Sequence, residues 1–304
     1  MSAEQDLIRS FVEQWGSAAS GIGDDAAILT VPPGEKLVVS TDASVEDVHF
    51  RRKHISAEEI GYRSTAAALS DLAAMAARPL GLLFALVLPE SWRDEANAIA
   101  KGVGASARAV RCPIVGGNIS SGETLSLTTT VLGSSENPLT RSGAKAGDSV
   151  FATGNLGGAA AAVAAWEAGR APKSECRERF VRPSPRIEEA IWLAANGATS
   201  AIDISDGLSR DALHVAESSG VSVSIDLECV PFAACTSPEQ AFEGGEDYEL
   251  LVTARAFNLD EFQRRFGIPL TRIGSVVAGP AALSVKKDGK AFTPPPGFDH
   301  LSRK

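Results

Sequence analysis

Aspartates dominate the residues that could do chemistry, and several stand where an isolated carboxylate is costly. Asp42 ends the run LVVSTD directly after Ser40 and Thr41, so three successive oxygen-bearing side chains close an apolar, strand-like segment. Such a set suits a hard divalent cation such as Mg2+, and equally a turn or a helix cap. Asp71 has Ala67, Ala68, Ala74 and Met75 at helical spacings of three and four residues. A carboxylate on a buried face needs a partner such as a cation, unless the helix is rotated so that Asp71 reaches solvent or an arginine such as Arg63 or Arg78. Asp24 and Asp25 follow a Gly-Ile-Gly turn, where aspartate is also common for backbone reasons. In SAIDISDGL, period two puts Asp203 and Ser205 on one face and Ile202 and Ile204 on the other. Ser205 and Asp206 can also cap the helix that follows, whose N-terminus favours anions. Two glycine-pair turns, Gly116-Gly117-Asn118 and Gly244-Gly245-Glu246-Asp247, add oxygen ligands and backbone room for phosphates. Each signal alone is weak, but together they describe a multi-cation site that handles phosphate.

Composition narrows the partners. The chain has 304 residues with 29 Lys plus Arg against 38 Asp plus Glu, a net charge of −9, and no basic patch. Nucleic acid is therefore not an expected partner, since its affinity comes chiefly from basic surfaces. An acidic chain that handles phosphate is expected to do so through metal ions. The phosphate loop GxxxxGK[ST] does not occur, and GIGDDA lacks the third glycine of a dinucleotide fingerprint. The four cysteines form no close CxxC pair and are expected to be reduced and structural. The longest apolar run, 80–88, is far short of the ~20 residues needed to span a bilayer. The polar start MSAEQDLIRSFVEQW carries no secretory pattern. A cytoplasmic protein with no membrane partner is the expectation.

The elements that must position these residues alternate between strand and helix, the pattern of an α/β chain. Strands are expected at 37–40, 82–88, 114–115, 125–132, 149–153, 201–204, 221–227, 248–253 and 271–277. A helix opens at Ser56, with Glu59 in the capping-box position, and is expected to stop near Arg78, before Pro79. Others are expected to open at Ser91 and at Asn258, with Glu261 as capping partner, and over 157–169. The polar, turn-rich stretch 134–147 divides the chain into 1–139 and 140–304.

Taken in order, GIGDDAA, STD, VHF, LSDLAAM, VGGN, LTRSGAK, RPSPR, AIDISDGL, GGEDYEL and the closing GFDH resemble the thiamine-monophosphate kinase family of the aminoimidazole-ribonucleotide-synthetase-like superfamily. The resemblance implies a fold of two α/β (α+β) domains, each with a mixed sheet packed by helices. The N-terminal domain would bind ATP and Mg2+ and pair in a homodimer, the C-terminal domain would complete the active site, and ATP would lie near their junction. It implies several Mg2+ ions on Asp25, Ser40, Thr41, Asp42, Asp71, Asn118, Asp203 and Asp206. It puts ATP on Gly117, Asn118, Arg141 and Ser205, and thiamine monophosphate on His49, Glu246 and Phe298. Two positions depart from the family pattern. Asn118 replaces an aspartate, keeping an oxygen ligand but losing one negative charge. Phe298 replaces a tyrosine, keeping the stacking face but losing the hydroxyl.

The implied reaction transfers the γ-phosphoryl of ATP in line to the phosphate of thiamine monophosphate, giving thiamine diphosphate. A phosphate nucleophile is already anionic near neutral pH, so no general base is assigned. Two other readings stay open at this point: a catalytically weakened nucleotide or thiamine-phosphate binding protein, and another ATP-using enzyme of the superfamily.

Overall fold

The computed structural model describes residues 2–297, so Phe298 lies outside the described residues. The chain divides into two compact units. One holds Met1–Leu72, Ala77–Pro138 and Val181–Pro185, and the other holds Ala73–Ala76, Leu139–Phe180 and Arg186–Lys304. The short return of Val181–Pro185 to the first unit contains part of the RPSPR motif, where Arg182 lies over the Tyr62 ring, 5.0 Å from its centroid.

The first unit contains α1 (Ala3–Trp15), β1 (Lys36–Val45), α2 (Ala57–Ala74), β2 (Arg78–Leu88), α3 (Ala96–Ala109), β3 (Ile114–Ser121) and β4 (Ser126–Ser135). Its sheet runs β1-β4-β2-β3, antiparallel except for the parallel β2–β3 pair. Phe84, Leu82 and Leu86 of β2 are buried together with Ile99 and Val103 of α3 and Ile60, Leu69 and Leu72 of α2. Trp15 packs edge-on against Phe84 and donates its Nε1–H to the Ala100 carbonyl at 3.0 Å. The capping box at the start of α2 forms in both directions: Ser56 N–H donates to Glu59 Oε2 at 2.8 Å and Glu59 N–H to Ser56 Oγ at 3.3 Å. The helix ends at Ala74 rather than near Arg78, because Ala76 turns left-handed (φ 49°) and Arg78 already begins β2. At Ser91 a 3-10 turn spans Glu90–Glu95, and the α-helix begins only at Ala96.

The second unit contains β5 (Ser149–Thr153), α4 (Gly158–Glu167), α5 (Ser174–Val181), α6 (Ile187–Ala195), β6 (Ser200–Asp203), α7 (Leu208–Ser219), β7 (Ser222–Asp226), α8 (Pro238–Glu243), β8 (Leu250–Ala254), α9 (Leu259–Phe266), β9 (Leu270–Val277), β10 (Ala282–Lys287) and β11 (Lys290–Phe292). Its mixed sheet runs β11-β10-β7-β9-β5-β8-β6. Ile202, Leu251, Val150 and Val223 of the strands share one core with Leu208, Ala212 and Val215 of α7 and with Phe242 of α8. The mixed-sheet α/β architecture expected from the sequence is present in both units. The cysteines differ from expectation. Cys176 and Cys235 form a disulfide, while Cys112 and Cys229 are free. A separation of 59 residues carries no pairing signal in sequence, yet the fold brings their Cα atoms to 6.3 Å. No helix among the described residues is long and apolar enough to cross a membrane.

Candidate active site

Strand β1 does not end at Asp42. It continues to Val45, because Ser44 and Val45 still pair with Leu127 and Ser126 of β4. Period two therefore splits the STD motif. Ser40 and Asp42 lie on the helix-facing side, and Ser40 Oγ donates to Asp71 Oδ2 of α2 at 2.5 Å. Thr41 stands on the opposite face, where its hydroxyl meets Thr130 Oγ1 at 3.0 Å. Asp42 pairs in register with Thr129, whose buried hydroxyl has no hydrogen-bond partner among the described residues. Phe84 and Gly117 continue that row across the sheet, and a Cβ on Gly117 would stand 1.9 Å from the Phe84 carbonyl oxygen. Close strand approach alone thus demands this glycine. Asn118 pairs with Ala85 on the other face and is exposed, as Thr41 is. Asp24 and Asp25 are exposed as well, on a segment outside helix and strand, where Asp24 Oδ1 accepts from the Asp25 N–H at 3.0 Å. His49 Nδ1 accepts from the Val45 N–H at 3.1 Å, which leaves Nε2 as the ring's donor when the imidazole is neutral.

In the second unit the candidates sit on the turn from β6 to α7. Asp203 ends β6 and is buried, whereas Ser205 and Asp206 are partly exposed. Their backbone N–H groups both donate to Asp211 Oδ2 at 3.0 Å, so a carboxylate from the first turn of α7 braces the whole corner. Burial, reinforced by the charge of Asp203, pushes the Asp211 carboxyl up to about 8. Asp211 was not singled out in the sequence, although SDGLSRD places a carboxylate one turn into the helix. Arg210 Nε lies 3.6 Å from Asp206 Oδ2. Burial, with the charges of Arg141 and Arg210, holds His214 below its ordinary value. Arg141, exposed, is thus electrostatically part of this corner.

The GGEDYEL segment runs beside the same turn. Glu246 N–H donates to the Ser205 carbonyl at 2.9 Å and Tyr248 N–H to the Ile204 carbonyl at 3.0 Å. A Cβ on Gly245 would come within 1.8 Å of the Ser205 oxygen, so the second glycine of this pair, too, answers to close packing. Asp247 is buried and accepts the Gly157 N–H at the start of α4 at 2.7 Å. Among the described residues no three His, Cys, Asp or Glu side chains converge on one point. Cations here would complete their shells with hydroxyls, carbonyls, phosphate oxygens or water, as Mg2+ commonly does.

Residues 23–135 match the N-terminal domain of the AIR synthase related protein family, and residues 145–286 match its C-terminal domain. The thiamine-monophosphate kinase of Escherichia coli K12 is 36% identical over 302 residues, covering 93% of this chain and 92% of that protein. The crystal structure of the thiamine-monophosphate kinase of Stenotrophomonas maltophilia K279a superposes with a TM-score of 0.82 at 35% identity, over 94% of this chain and 96% of that one. AaThiL complexed with AMPPCP and TMP superposes with a TM-score of 0.78 at 32% identity, over 98% and 96%. With both domains matched and curated relatives aligned along nearly the whole length, this chain belongs to the thiamine-monophosphate kinases of the AIR synthase related family.

Proposed function

We propose that the protein phosphorylates thiamine monophosphate with ATP, yielding thiamine diphosphate and ADP. The observation that carries this is full-length kinship, at 32% identity, to a structure that holds an ATP analogue and TMP together. An oxygen of the substrate phosphate attacks the γ-phosphorus in line, a new P–O bond forms, and the bond from that phosphorus to the β–γ bridging oxygen breaks as ADP leaves. The phosphate groups of the two substrates together bring a charge on the order of −6 near neutral pH. No side chain is needed as general base, because the attacking oxygen is already anionic.

The chemistry of the proposed ligands fits Mg2+ in each unit taken by itself: Asp25, Ser40, Thr41, Asp42, Asp71 and Asn118 of the first unit, and Asp203 and Asp206 of the second, are all oxygen donors, and the Thr129 hydroxyl, which has no hydrogen-bond partner among the described residues, lies in register with Asp42. When bound, Mg2+ supplies neutralisation of the phosphate oxygens. The chain's own part is to bind and orient. Gly117, Asn118, Arg141 and Ser205 are assigned to ATP, with the Arg141 guanidinium as a fixed cationic fork. His49, Glu246 and Phe298 are assigned to thiamine monophosphate, and the Val45 N–H on His49 Nδ1 supports a ring that donates from Nε2.

The test is incubation with ATP, Mg2+ and thiamine monophosphate, following thiamine diphosphate and ADP by chromatography with each component omitted in turn. Diphosphate formed one-for-one with ADP is expected, and ADP without diphosphate overturns the reading. We infer a cytoplasmic homodimer. One face of the first sheet presents Leu37 (51% exposed), Val39 (55%) and Leu83 (37%), an apolar patch of the kind that a second copy covers. Sedimentation at micromolar concentration is expected to give twice the chain mass.

A further inference from the structure

The GGEDYEL segment is held in a conformation that its sequence does not favour. Glu246 and Tyr248 both have left-handed backbones, with φ of 68° and 51°, a region that non-glycine residues rarely adopt. Such a conformation persists only where the surroundings over-determine it. The residues between and after them do so. Asp247 is turned inward onto the backbone N–H of Gly157. Glu249 is 1% exposed and collects four donors: Arg186 Nε at 2.8 Å, Arg186 Nη2 at 2.6 Å, Arg179 Nη1 at 2.8 Å and Thr153 Oγ1 at 2.7 Å. These come from the end of β5, from α5 and from the residue that precedes α6. Gly154 has room only for hydrogen, since a Cβ there would stand 2.1 Å from Glu249 Oε1.

A buried ion pair of this kind is a poor source of net stability, because well-packed apolar residues often do as well or better. What it does supply is one geometry, and the group displayed by that geometry is Glu246. We propose that Asp247 and Glu249 are positioning residues. They anchor the loop from two sides and hold Glu246 at the angle in which it meets thiamine monophosphate. The inference rests on the assignment of Glu246 to that substrate. The neighbouring Ser205–Asp206 turn is bonded to the loop through the Ser205 and Ile204 carbonyls but keeps its own brace in Asp211, so loosening the loop is expected to reach thiamine monophosphate far more than ATP.

Calorimetric titration of the full-length protein with thiamine monophosphate, and separately with ATP and Mg2+, tests this in Glu246→Gln, Glu249→Gln and the double variant. Each single substitution is expected to weaken thiamine monophosphate about tenfold, and the double variant no more than about twofold beyond the weaker single, because both act through one contact. Affinity for ATP is expected to stay within about twofold. A folded Glu249→Gln that binds thiamine monophosphate normally overturns the inference. So does a double variant whose losses multiply to about a hundredfold, or an equal loss for ATP, the mark of general loosening. If Glu249→Gln does not fold, Asp247→Ala, which removes the acceptor for the Gly157 N–H, is read by the same criteria. Failure of the unsubstituted protein to bind thiamine monophosphate would sink the substrate assignment itself, and failure of Glu246→Gln to weaken it would sink the role of Glu246. Normal behaviour of both with no effect at Glu249 sinks the positioning role alone.

Discussion

The two units carry their candidate residues in opposite ways. In the first, Asp24, Asp25, Thr41 and Asn118 are exposed, and Asp71 is tied to Ser40 on the neighbouring strand. In the second, Asp203, Asp211, Asp247 and Glu249 are buried, and the corner they form is braced by backbone N–H groups and two arginines. An exposed carboxylate pays little desolvation and can await a cation. A buried one must be satisfied by the fold itself. The first unit therefore offers ligands, and the second offers geometry. Substitutions should separate these roles, one kind costing activity far more than stability and the other costing both.

The largest effect is expected at Asp71. Asp71→Ala removes a proposed ligand and leaves the Ser40 hydroxyl able to turn toward solvent. Turnover should fall at least about a hundredfold, the scale at which even supporting residues of metal sites act. Melting temperature should fall by only a few degrees, since a part-buried hydrogen bond to a carboxylate contributes about 1–2 kcal/mol. Steady-state kinetics beside thermal unfolding without Mg2+ check this. Near-normal turnover would remove Asp71 from the site, and a collapse in melting temperature would erase the contrast between the units.

Much of this was legible in the sequence, and the parts that were not have identifiable causes. Strands with apolar alternation and the Ser56–Glu59 box could be read because the signal is local. The polar β10 and β11 could not, as their sequence LSVKKDGKAF carries little core signal. Strand β8 begins at Leu250 rather than 248, because the left-handed Tyr248 cannot join a ladder. The aspartates stood out because each interrupts an apolar pattern. Their supports did not, since Arg186 and Arg179 lie 63 and 70 residues from Glu249. Nor could the sequence tell that strand β1 runs on past Asp42, which is what sends Thr41 to the other face.

A pH series probes the buried half. Burial, aided by the charge of Glu249 and opposed by Arg179 and the Gly157 and Ala159 N–H groups, pushes the Asp247 carboxyl up to about 7 from an ordinary 3.8. The folded state thus favours its neutral form. That contribution to stability is complete below about pH 4 and is lost as pH rises through about 7, with a slope of at most about 1.4 kcal/mol per pH unit. Asp247→Asn cannot ionise, so its stability curve by chemical denaturation should be flatter over that window. Identical curves would mean that Asp247 does not titrate in the fold.

The smallest effect is expected at Asn118, where the ligand-offering unit departs from the family pattern. Asn118 is exposed on β3, opposite Ala85, so neither side-chain volume nor packing constrains it. Asn118→Asp restores a negative charge without changing shape. At an exposed site the added charge interacts through high dielectric and costs at most about 1 kcal/mol of stability. If the family arrangement still operates here, turnover should be unchanged or raised up to about threefold, with most of the gain at low Mg2+, where an extra anion helps recruit the cation. Turnover measured across a Mg2+ series distinguishes the cases. A loss of tenfold or more at all Mg2+ concentrations would mean that this face has been rebuilt around the neutral amide, and that the first unit is less adaptable than its exposure suggests.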